Sequence, residues 1–317
     1  MTQPVFIVDP RVQWESFSTN ENAVSVLEQN LDKVEWYYLS GNPEAIHLLK
    51  KNMDKVDWRR LSYNPKSLPL LEQNLDKVNW DYLCYNITNA LPLLEQHLDK
   101  VNWYWLSQNP YEIHILEQNL DKVDWAWLSG NPNAIHILEQ NLDKVVFRVL
   151  SLNTNAIHIL AENLDEVNWY NLSTNPGAIP LLEQNLDKVN WVGLSQNPNA
   201  VYLLEKNLDK VSWHWLSGNP NAIHILEQNL DKVNWELLSG NPNAIHILAE
   251  NLDKVHWFEF SRNPNAMHLL CKLDYLQMKK LIQPLKKEIV EKVFNPIRLC
   301  KISEKYNIDF DELVEIY

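Results

Sequence analysis

Seven histidines, His47, His114, His136, His158, His224, His246 and His268, recur at one position of a repeating sequence. Several open an H-x-x-E pair, as in His136 with Glu139 and His224 with Glu227. An imidazole and a carboxylate three residues apart on a helix can share a metal ion. The same column, however, holds Pro69, Pro92, Pro180 and Tyr202, so the position is not kept for ligation. Histidines one unit apart would also stand about 10 Å from each other, too far to share one ion. An active site is needed once, whereas recurrence is what structure requires. The residues that break the repeat contain no Ser/His/Asp set, no HExxH and no glycine-rich phosphate loop. Cys84, Cys271 and Cys300 lack metal-ligand spacing. The expectation is a protein that is not an enzyme and takes no metal or other cofactor.

Recognition chemistry is better represented. The two positions after each repeated Trp are left free by the repeat, and they are rich in Tyr, Trp and Arg, the types enriched at interface hot spots. The candidate partner-binding residues are Tyr37, Tyr38, Arg59, Arg60, Tyr82, Tyr104, Trp105, Trp127, Tyr170, His214 and Trp215. The row is densest from Tyr37 to Trp127. Variable aromatic positions on a regular scaffold are how solenoids present a binding face. The alternative is that the second aromatics pack on the short turn of the next unit.

The elements that must position this row follow from the repeat itself. Trp14, Trp36, Trp58, Trp80, Trp103, Trp125, Phe147, Trp169, Trp191, Trp213, Trp235 and Trp257 are spaced by 22 residues, except for one step of 23 between Trp80 and Trp103. The extra residue falls near Ile87 and Thr88. A typical unit, Asn219 to Gly240, reads NPNAIHILEQNLDKVNWELLSG. Asn stands six residues after each Trp, and Pro follows it in nine of twelve units. Asn is a strong helix cap and Pro suits the first helical position, so a helix begins at each Asn-Pro. Ala222, Ile223, Ile225, Leu226 and Leu230 then form its buried face. The Asp, Asn or Ser before each Trp is a second cap column, opening a short helix or 3-10 turn. The Asp-Lys columns are expected at a solvated helix end.

A unit of one three-turn helix and one short turn cannot bury its own apolar face, but stacked units can. The expected fold is an all-α solenoid of about twelve units, of either hand, with the Trp column as the spine of its core. An open array of this kind would span roughly 100 Å along its axis. Residues 1–20 are expected as a degenerate N-terminal cap, 21–267 as the array and 268–317 as a helical C-terminal cap. The stretch before His268 carries 19 basic and 33 acidic residues, a net charge of −14. That balance disfavours nucleic acid and anionic membrane surfaces as partners. The N-terminus has no basic and apolar leader pattern, and no 18-residue apolar run occurs.

The unit LEQNLDKVNWxxLSxNPNAI resembles the 22-residue repeats of giant DNA viruses of protists, the mimivirus and algal-virus group. The closing stretch from Val293 to Asp309 resembles a tail common in such proteins. The resemblance covers nearly the whole chain. It implies a viral α-solenoid in the host cell cytoplasm and supplies no functional residues. The function expected is capture of a host or viral protein or peptide. The alternative is a structural component of a viral particle.

Overall fold

The computed structural model describes residues 5–86, 90–274, 276–280, 282–284 and 287. The insertion near 87–88 and most of the expected helical C-terminal cap lie outside the described residues.

Each unit folds as two helices; the first is the longer where a 3-10 turn leads into it, as at Pro43–Ala45 before Ile46–Lys51, and elsewhere it is shorter than the three turns expected. In the unit from Asn219, the Asn219 Oδ1 accepts the Asn221 N–H at 3.0 Å, and the helix that follows spans only Ile223–Glu227. Asn229 stops it. Its side-chain amide donates to the Ile225 carbonyl at 2.9 Å, filling an acceptor that a helix end leaves open. One turn later Val233 is extended and buried. Asn234 then caps the second helix, Trp235–Gly240, by accepting the Leu237 N–H at 2.9 Å. Where Val146 replaces the capping residue, the helix Phe147–Leu150 has no side-chain cap.

Between units the core is an apolar and amide stack. The Leu three residues after each Trp and the first Ala and second Leu of each Ile/Leu helix are almost wholly buried, as at Leu216, Ala222 and Leu226. Burying each such Leu contributes about 2 kcal/mol. The capping Asn lies inside as well. Asn219 donates to the Ser195 and Asn197 carbonyls of the preceding unit at 3.2 and 3.0 Å. The buried Ser217 hydroxyl donates to the Trp213 carbonyl at 2.7 Å and accepts the Asn234 N–H of the next unit at 2.8 Å. Buried polar groups must be paired, and here the pairing itself joins the units.

The Trp column is not the spine of the core. Each of its rings is partly exposed, because its outer face is covered by a lysine rather than by apolar packing. Ten lysines of the Asp-Lys column place Nζ between 4.7 and 5.2 Å from the ring centroid of the preceding unit's Trp. These lysines therefore do more than sit in solvent at a helix end. The repeat breaks in step with this pairing: Phe147 replaces a Trp, and Glu166 replaces the Lys that would cover it. An exposed cation over an aromatic face contributes only about 0.5–1 kcal/mol. Lys232→Ala, which uncovers Trp213, is accordingly expected to lower stability by no more than about 1 kcal/mol in urea denaturation.

The array is also not open-ended. The amide, serine and cation–ring contacts that join successive units recur between the last Trp unit and the first. Asn20 donates to the Ser261 and Asn263 carbonyls at 3.2 and 3.1 Å. The Gln13 N–H donates to Ser261 Oγ at 3.0 Å, and Asn22 donates to the Pro264 carbonyl at 2.9 Å. Arg11, standing in the Lys column, lies 4.1 Å from the Trp257 ring centroid. Residues Pro10–Leu270 thus form one compact unit closed on itself, in which 360° is shared among twelve units, about 30° each. The expected 100 Å axis does not exist. The segment 14–20 is a full partner of the last unit. A second compact unit joins Met1–Asp9 to the residues from Cys271 onward. It holds an antiparallel pair of strands, Phe6–Val8 with Cys271–Leu273.

Within the closed array, neighbouring Trp helices touch directly, while neighbouring Ile/Leu helices stand further apart. The more crowded layer of a closed array is the inner one, so the Trp helices form the inner wall. The most extensive contact is between Trp169–Thr174 and Trp191–Gln196. Gly193 permits it, since a Cβ there would lie 2.7 Å from the Tyr170 carbonyl oxygen. Across the 23-residue step Asn109 still donates to the Cys84 carbonyl at 3.0 Å. The unit after it carries a compensating change. Glu112, buried in a column that is otherwise mostly Ala, faces the main-chain N–H groups of Ala90 and Leu91. Among the described residues, no helix is long and apolar enough to cross a membrane.

Candidate functional site on the inner wall

An α-helix turns about 100° per residue, which fixes what the inner wall can display. Leu and Ser, three and four residues after each Trp, point into the core. The positions one, two and five residues after it therefore share the opposite face. The first two were expected from the sequence. The third adds Tyr63 and Tyr85, which sequence reasoning missed.

The structure brings eight of the eleven expected residues together. Tyr37 and Tyr38 meet edge to face at 5.1 Å, and the Arg60 guanidinium lies 4.7 Å from the Tyr37 ring and 5.9 Å from that of Tyr38. Arg59 donates from Nη2 to the Tyr82 hydroxyl at 2.8 Å and stacks 5.1 Å from its ring. This bond raises the Arg59 pKa above its ordinary value. Tyr63 then stacks on Tyr85 at 5.7 Å, Tyr85 meets Trp105 at 5.2 Å, and Trp105 lies 6.4 Å from Trp127. Tyr104 contacts both indoles, at 5.0 and 5.2 Å. Burial pushes the Tyr63 hydroxyl pKa up. The result is a continuous aromatic track across five successive units. Its side chains pack on the next unit and still remain open: Tyr37 is 46% and Tyr104 43% exposed. Packing on the next unit, the alternative expected for these positions, thus leaves the side chains accessible.

At the centre of the track lies a cavity of about 430 Å³, lined by Arg59, Tyr63, Asn79, Asp81, Tyr82, Tyr85 and Trp105. Its volume lies within the usual range of ligand pockets. Asp81 accepts the Asn102 amide at 2.6 Å, and Asn79 caps its helix by accepting the Tyr82 N–H at 3.1 Å. A smaller cavity involves Ser16, Thr19, Tyr38, Arg60, Phe258 and Arg262, which come from four successive units counted across the closure. Such a shared lining requires a concave wall.

The other three expected residues lie elsewhere. Tyr170 is exposed beside Gln196, whose amide donates to its hydroxyl at 3.2 Å. His214 and Trp215 form an isolated pair 4.9 Å apart.

The histidine column lies on the Ile/Leu helices. His158 bonds Glu139 of the preceding unit at 2.8 Å, and His136, His224 and His246 make the equivalent pair. Tyr202, in the same column, bonds Glu183, which pushes its hydroxyl pKa up to about 12. The glutamate reached is thus one unit back, not three residues on. Among the described residues, no group of three or more metal-ligating side chains occurs.

Comparison of the chain with protein-family models, with curated proteins and with solved structures returned no match.

Proposed function

We propose that this chain is a non-enzymatic scaffold that holds a protein or peptide against the inner wall of its closed array. The observation that carries the proposal is the contiguous track from Tyr37 to Trp127, half-exposed and built from hot-spot residue types. A closed ring of helices supports it from behind, so little conformational freedom is lost when a partner binds. The acidic surface argues against nucleic acid as that partner. The resemblance to giant-virus repeats makes a host or viral protein the natural source, met in the host cytoplasm.

The test replaces Tyr37, Arg59, Tyr104 and Trp127 together by alanine. Peptides selected by display against the intact chain are expected to lose at least about 100-fold in affinity for this variant, as removal of several hot spots implies. Helical circular dichroism and the melting temperature should stay nearly unchanged, because these side chains are surface groups. Unaltered affinity, or unfolding of the variant, would reject the inner wall as the binding face.

A further inference from the structure

The inner-wall cavity constrains the chemistry of its occupant, and the inference drawn from it rests on the binding-scaffold reading above. Arg59 stands at the cavity and opposes a cation, while Asp81 opposes an anion. A net charge of either sign on the occupant is therefore disfavoured where it touches this wall. Its other surfaces must suit aromatic faces, since Tyr63, Tyr82, Tyr85 and Trp105 supply most of the lining.

The polar groups on offer narrow the choice. The Asn79 side-chain oxygen is occupied by the Tyr82 N–H, so the amide presents its NH₂ group. The Trp105 indole N–H and the Tyr63 and Tyr85 hydroxyls make no hydrogen bond among the described residues. Asp81, the carboxylate of the set, already accepts from Asn102. In the cavity donors outnumber the carboxylate: the Asn79 amide, the Trp105 indole and the two hydroxyls can all donate, whereas one oxygen of Asp81 is already engaged. Its complement is a ligand with exposed carbonyl oxygens and few N–H groups.

The shape narrows it further. The lining continues beyond the cavity as a path of rings, with steps of 5.7 Å from Tyr63 to Tyr85, 5.2 Å to Trp105 and 6.4 Å to Trp127. This is a track for an extended ligand. A proline-rich chain in the polyproline II conformation is extended, apolar on its ring faces, unpaired at every carbonyl and lacking an N–H at each proline. Aromatic-lined grooves are its usual receptors.

We propose that the path from Tyr63 to Trp127 binds a proline-rich segment in the polyproline II conformation. The path is at most about 17 Å long, the rise of about six such residues at about 3.1 Å each.

Titration calorimetry of the full chain with triproline, hexaproline and nonaproline tests this. Hexaproline is expected to bind, and triproline to bind at least about ten-fold more weakly, because it leaves half the path empty. Nonaproline should gain no more than about two-fold over hexaproline, since the added residues pass the end of the path. Trp105→Ala should weaken hexaproline at least about ten-fold. If that variant melts early, Tyr104→Ala at an exposed position tests the same wall. No binding of hexaproline at millimolar concentration, or affinity indifferent to both substitutions, overturns the proposal. Proline-free display peptides that bind in a Trp105-dependent way would reject the proline class and leave the binding scaffold standing. Cellohexaose binding in a Trp105-dependent way would reject both.

Discussion

Asn175→Ala is expected to destabilise the chain by about 3–5 kcal/mol, more than any substitution on the inner wall. The residue is 1% exposed. Its amide donates to the Ser151 and Asn153 carbonyls at 3.0 and 3.1 Å, and its oxygen accepts the Gly177 N–H at 2.9 Å. Alanine leaves the buried Ser151 carbonyl unpaired, at about 1–3 kcal/mol, takes one of two bonds from the Asn153 carbonyl, which still accepts the Ala156 N–H at 3.2 Å, at about 1 kcal/mol, and removes a helix cap worth about 1 kcal/mol. Asn175→Asp separates these effects. Aspartate keeps the cap oxygen but directs a buried negative charge at two carbonyls, so at neutral pH it should be worse than alanine. Burial raises the folded-state pKa of such a carboxyl above its unfolded value. The protonated acid can donate again, so the Asp variant should regain stability as the pH falls toward that pKa. Urea denaturation of both variants at two pH values makes the measurement. A cost below about 1 kcal/mol for alanine would show that the amide stack does not hold the units together.

The unit was legible in the sequence because its signals are local. Both cap columns act where they were expected, at Asn219 and Asn234, and period and capping suffice for an all-α repeat. The role of the Trp column was misread for a physical reason. Ring size predicts burial, but what lies on the outer face of Trp213 is Lys232, nineteen residues downstream in the next unit. Only a model of how units stack reveals that neighbour. The extent of the wall was legible and missed: at 100° per residue, Tyr63 and Tyr85 fall between the two positions already chosen. Closure is different in kind. It depends on the small rotation between units, which no single unit encodes. Even so, the first unit carried a sign. Pro10-Arg11-Val12-Gln13-Trp14 is the Asp-Lys-Val-Asn-Trp pattern with Arg, again a cation, in the Lys column.

That cation lies over Trp257, and the second large effect follows from it. Asn20→Ala is expected to cost the same 3–5 kcal/mol or so as Asn175→Ala, by the same loss of two buried bonds and a cap. In an open solenoid the first unit has one neighbour and frays at little cost, so a substitution there would be felt at well under about 1 kcal/mol. Equality between unit one and a central unit is therefore a measurement of closure. Hydrogen exchange gives it independently. The Gln13 N–H is bonded to Ser261 Oγ at 3.0 Å, as the Asn190 N–H is to Ser173 Oγ at 3.0 Å. In a closed array the two amides should show comparable protection, and in Asn20→Ala the Gln13 amide should lose it first. Early exchange at Gln13 in the intact chain would mean an open array, and the concave wall argued from closure would then lose its support. Closure thus bears on binding as well as stability. An open superhelix can flex and change its curvature, whereas a closed ring of twelve units fixes the spacing of Tyr63, Tyr85, Trp105 and Trp127 before any partner arrives.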